Sequence, residues 1–63
     1  MKREQILKFL NKKVKLVLSN DYNYTGTILK IREYNLVLKD KFDLELDIDI
    51  SSIFVIGEVK DGS

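Results

Sequence analysis

The chain has 63 residues, no cysteine, no histidine and a formal net charge of +1. This excludes a disulfide framework, a thiolate metal site and the usual imidazole zinc ligands. A domain this small buries only about 60% of its unfolded surface and ordinarily leans on a disulfide, a metal or a partner copy. With 44% hydrophobic residues there is material for a core, and self-association is the support that remains.

Catalysis finds little footing. Ser19, Ser51 and Ser52 have no evident general base, and the three glycines form no phosphate-cradling motif. The expectation is a non-enzyme with no cofactor and no small-molecule substrate. No stretch approaches the roughly 18 to 20 apolar residues of a membrane span, and the N-terminus lacks an apolar run of signal-peptide length. A soluble, cytoplasmic protein is expected.

Residues 2–10 read as a short α-helix, with Ile6, Leu7 and Leu10 on one stripe that Phe9 widens. Asn11 suits the left-handed position that ends a helix, and Lys12 and Lys13 suit its negative pole. So short a helix must lie on an apolar surface. From Lys13 the period becomes two. Val14, Leu16 and Leu18 share a face in the first strand, and Ser19-Asn20-Asp21 is a turn cluster. A second strand is expected over Tyr22–Arg32, a tight connection at Glu33-Tyr34, a third strand over Asn35–Lys39, and a turn at Lys39-Asp40-Lys41.

Residues Lys41–Ile50 alternate without exception, Phe42, Leu44, Leu46, Ile48 and Ile50 against Lys41, Asp43, Glu45, Asp47 and Asp49. That pattern predicts a fourth strand with a core face and an acidic, solvated face. A fifth strand is predicted over Ile53–Val59, and Asp61-Gly62-Ser63 as a frayed tail. Five short strands at hairpin spacing after one helix predict a single all-β domain, a small, strongly bent antiparallel barrel. Ile53-Phe54-Val55-Ile56 is apolar on both faces. Exposed on an edge it would aggregate, so a neighbouring copy's strand is expected to cover it, and pairing of identical copies through unlike edges closes into a ring or runs on.

Charge is unevenly spread. Residues 1–39 hold nine Lys/Arg against three acids, and residues 40–63 hold Lys41 and Lys60 against seven acids. Either the basic half forms a partner-binding surface, or the two signs meet within the fold or between copies. Lys8 and Lys12, with Lys2, Arg3, Lys13 and Lys15, suit phosphate contact, or solubility and helix-dipole matching. Arg32 and Tyr34 can stack on bases and bind phosphate, or Tyr34 can pack into the barrel or against a neighbouring copy. Asn35 can read a base edge or cap its own turn. Tyr22 and Tyr24 make a stacking platform or cover the core or an interface. The carboxylates of Asp43–Asp49 form a straight row, which reads as a solvated face in preference to a metal site.

Tyr24-Thr25-Gly26-Thr27-Ile28 and, further on, Asn35-Leu36-Val37-Leu38 resemble the first motif of the Sm/LSm family. Ile53-Phe54-Val55-Ile56-Gly57-Glu58-Val59 is similar to its second motif in weakened form. The resemblance implies an Sm-like fold, an N-terminal helix on a five-stranded bent barrel. It implies rings of six or seven copies joined between strands four and five, and binding of single-stranded RNA near the pore. It gives Asn35 a base-edge role, and together with the residue readings above the expected RNA contacts are Lys30, Arg32, Tyr34, Asn35 and Gly57, with Lys8 and Lys12 beside them. It assigns subunit contact to Leu46, Ile48, Ile53, Phe54, Val55 and Ile56. The chain departs from the family pocket where Glu33 takes the stacking position and Ile56 the position of an Arg before Gly57. Lys30 replaces a glycine that helps strand two bend. The same barrel used for protein assembly without RNA is the alternative.

Overall fold

The computed structural model describes residues 1–60. The tail expected at Asp61-Gly62-Ser63 lies outside the described residues. Five strands, β1 (Lys13–Leu18), β2 (Asn23–Ile31), β3 (Asn35–Lys39), β4 (Glu45–Asp49) and β5 (Ile53–Glu58), form one antiparallel sheet in the order β4-β3-β2-β1-β5. The sheet is not closed, and β4 and β5 are its two edges. Each strand supplies the core: Val14 and Leu16, Ile28, Leu36 and Leu38, Ile48, and Ile53. Ile6 and Ile50 complete it. A single sheet can bury one face this fully only by curling over it, since the N-terminal turns are too short to be a second layer.

Gly26 permits the curl. A Cβ there would lie 2.3 Å from the Lys39 carbonyl oxygen and 3.1 Å from Leu38 Cγ, so β2 and β3 approach more closely than any side chain would allow. A register shift between Ile28 and Lys30 adds local twist without the glycine expected near Lys30.

The N-terminal segment corrects the sequence reading. In place of an α-helix it forms two 3-10 turns, Arg3–Gln5 and Leu7–Phe9. Its bonds run three residues back, as in Ile6 N–H to Arg3 O (2.9 Å) and Phe9 N–H to Ile6 O (2.8 Å). Three residues per turn eclipses i with i+3. Ile6 and Phe9 therefore pack downward together, while Leu7 and Leu10, placed on the core stripe by a 3.6 period, stay partly exposed. Asn11 does take the left-handed conformation (φ 64°).

The long alternation is also corrected. Lys41–Asp43 belong to the turn and β4 begins at Glu45, leaving Phe42 and Leu44 exposed. Asp40 is the cause. Its Oδ1 accepts the N–H of Phe42 (2.8 Å) and of Leu44 (3.0 Å), and Asp43 takes φ 63°. A short acceptor side chain has bent the backbone away from the ladder.

Candidate nucleic-acid interface

Arg32, Tyr34 and Asn35 sit together on the β2–β3 connection, closed by the Arg32 N–H bonding Asn35 O (2.8 Å). Tyr34 is 75% exposed and does not pack inward. Its carbonyl accepts the Ile50 N–H (2.9 Å), which fixes this tip beside the 3-10 turn Ile50–Ser51–Ser52 that links β4 to β5. Arg3 reaches over from the N-terminal turn and donates Nε–H to Arg32 O (3.1 Å). A shallow groove of about 420 Å³ results, lined by Arg3, Glu33, Tyr34, Asp49 and Ser51.

The sequence did not mark Arg3, Asp49 or Ser51 for this site, because they arrive through long-range pairing. Asn35 adds a third acidic neighbour: its Nδ2 donates to Asp47 Oδ1 (2.9 Å). One of the two amide N–H groups is therefore engaged. At this tip two cations, Arg3 and Arg32, meet three carboxylates, Glu33, Asp47 and Asp49.

The remaining assigned residues lie elsewhere. Lys30 is exposed on β2 opposite Val37. Gly57 is level with Lys15 and, through it, Thr25, seven residues along β2 from Arg32. Nothing lies within 4 Å of a Cβ placed on Gly57. Lys12 pairs with Glu58 (3.6 Å), and Lys8 Nζ sits 5.3 Å from the Phe9 ring. Among the described residues, Arg32 is thus the one assigned cation that a contact brings to the Tyr34 tip.

No family model, curated protein or solved structure matches the chain.

The two open edges differ in chemistry. The bonds Asp40 N–H to Leu44 O and Ile50 N–H to Tyr34 O bracket β4. With antiparallel alternation they direct Leu46 and Ile48 backbone groups toward β3, and those of Glu45, Asp47 and Asp49 outward. Likewise Val59 N–H to Lys13 O (2.8 Å) leaves Ile56 and Glu58 as the open groups of β5. Of the residues assigned to subunit contact, Ile48 and Ile53 have their side chains in the core. Leu46 and Ile56 are half-buried, and Phe54 (73% exposed) and Val55 (48%) are the apolar surface. Among the described residues no helix is long and apolar enough to cross a membrane, and no three acidic side chains converge as a metal site.

Proposed function

We propose that the chain is one subunit of a closed assembly of identical copies, a ring of small Sm-like barrels that binds single-stranded RNA. The observation that carries this reading is the pair of unlike open edges on one sheet. An acidic β4 and an apolar β5 suit head-to-tail joining, which satisfies both edges and covers Phe54 and Val55. RNA contact is supported by Tyr34, exposed between Arg32 and Asn35, and by the nine cations of residues 1–39, which a ring would multiply.

Native mass spectrometry of the full chain, alone and with oligo-U or oligo-A, tests both parts. A discrete oligomer that takes up oligonucleotide, with affinity falling steeply as salt rises, is expected. A stable folded monomer would remove the ring. The engaged Asn35 amide and the carboxylates around Tyr34 favour a second reading, the same assembly without nucleic acid. A well-formed oligomer that ignores RNA at low salt selects it.

A further inference from the structure

We infer that single-stranded nucleic acid is held in a groove at the other end of β2, between its first residues and the β3–β4 turn, with a base stacked on Phe42. This rests on the RNA reading above and assigns the contact to residues outside the Arg32–Asn35 tip.

The groove follows from unequal strand lengths. The last β2–β3 pair is Thr27 with Lys39, but β2 begins four residues earlier, at Asn23. Beyond Lys39 the chain turns away around Asp40, and a space of about 670 Å³ opens beside the uncovered stretch of β2. The β1–β2 ladder is bracketed by Leu18 N–H to Tyr22 O and Ile28 N–H to Lys12 O. Alternation then points Tyr24 and Gly26 backbone groups at β1 and those of Asn23 and Thr25 into the groove. No described strand pairs with them there, so the floor offers open backbone donors and acceptors.

The walls carry the rest of a nucleotide's needs. Phe42 is 69% exposed and Tyr24 is half-buried. Lys13, Lys39 and Lys41 line the groove against a single lining carboxylate, Asp40, whose Oδ1 is bound into the turn. Lys41 Nζ lies over the Phe42 ring, 5.2 Å from its centroid, so the ammonium covers one face and a base would stack on the opposite one. Lys39 is held by Asp43 at 3.3 Å, an exposed pair that a phosphate can displace. Aromatic faces alternating with ammonium groups are what a sequence-tolerant single-strand site requires. An added peptide strand fits less well, because only two residues of β2 offer open backbone and strand addition needs a longer run.

The test measures binding of a short labelled oligo-U to the full chain at low salt by fluorescence anisotropy. Phe42→Leu keeps apolar bulk and loses the ring, and is expected to weaken binding about tenfold while leaving the oligomer unchanged. Phe42→Trp, the chain's sole tryptophan, is expected to bind normally and to lose fluorescence as a base stacks on it. Lys41→Ala is expected to flatten the salt dependence. If Phe42→Leu binds like the parent while Tyr34→Ala does not, the groove assignment is overturned and the RNA reading stands. If an oligoglutamate of equal charge displaces the RNA and Phe42→Trp fluorescence does not change, the groove takes polyanions without stacking and the inference fails. If the parent chain itself binds nothing, both fall.

Discussion

Gly26→Ala tests whether the curl of the sheet rests on one close approach. Neither Gly26 nor Gly57 has left-handed backbone, so conformational freedom does not explain either. The difference lies in space. At Gly26 the new methyl would sit 2.3 Å from Lys39 O and 2.9 Å from the same carbonyl carbon. Both are backbone atoms of a strand hydrogen-bonded one residue away, at Thr27, so no flexible side chain can yield. At Gly57 the methyl meets nothing within 4 Å. Alanine in a strand gains about 0.5–1 kcal/mol over glycine through reduced chain entropy, and both variants share that gain. Their difference is therefore the steric term alone, about 1–3 kcal/mol for overpacking. In a domain of this size each kcal/mol moves the midpoint by about 4–8 °C. Gly26→Ala should melt about 5–20 °C below Gly57→Ala in far-UV circular dichroism. Protein concentration must be held fixed, because self-association shifts the midpoint by mass action. Two variants melting within about 2 °C of each other would show that β2 and β3 can separate at no cost, and the account of the curl would be wrong.

Asp40→Ala removes the acceptor of two N–H groups in the β3–β4 turn and should cost about 1 kcal/mol, most of it restored by Asn, as read from urea midpoints. Leu36→Ala, in the middle of the core, should cost about 2–5 kcal/mol with little change in the urea slope. Lys12→Ala should change stability by less than about 1 kcal/mol, because the Glu58 pair is half-exposed and 3.6 Å long. If copies join as proposed, Val55→Lys should abolish assembly in size-exclusion chromatography with light scattering while leaving the far-UV spectrum unchanged, since it places a charge on the open β5 surface and none in the core.

Much of the strand plan was legible because alternation and turn chemistry agree locally. Asn35–Lys39 is a strand at its expected ends, and β1, β2 and β5 differ from expectation by a residue at a terminus. The two failures have different causes. The N-terminal segment shows apolar residues at spacings compatible with both 3.0 and 3.6 residues per turn, and only the seating of Ile6 against the curled sheet decides between them. In Lys41–Ile50 the periodicity is faultless, yet Asp40 in front of it was the available signal, an acceptor side chain able to cap a turn two residues on. The candidate sites were less legible for a different reason. Tyr34 shares a groove with Asp49 and Ser51 because β3 and β4 pair in one register, and Phe42 and Tyr24 line one groove because β3 stops four residues short of β2. Both juxtapositions come from pairing between distant segments, which periodicity within a segment does not encode.

The uneven charge of the sequence becomes spatial through strand order. The change of sign falls near Asp40, at the β3–β4 turn, so Asp43, Glu45, Asp47 and Asp49 land in that turn and on β4, with Glu58 on β5, while Lys13 and Lys15 lie on β1, three strands from β4. This restricts how copies can meet. Joining β4 to β4 about a two-fold axis would set Glu45, Asp47 and Asp49 against the same row of the partner, and like charges directly opposite destabilise by up to about 1 kcal/mol per pair. Joining β5 to β5 avoids that but leaves the β4 backbone of both copies open. Only β4 against β5 spreads the carboxylates beside an apolar strand and leaves neither margin bare. Such a contact is heterologous, so it either closes after a fixed number of copies or continues as a fibre. In the proposed assembly, which of the two occurs would follow from the angle between the edges, to which the close β2–β3 approach at Gly26 contributes.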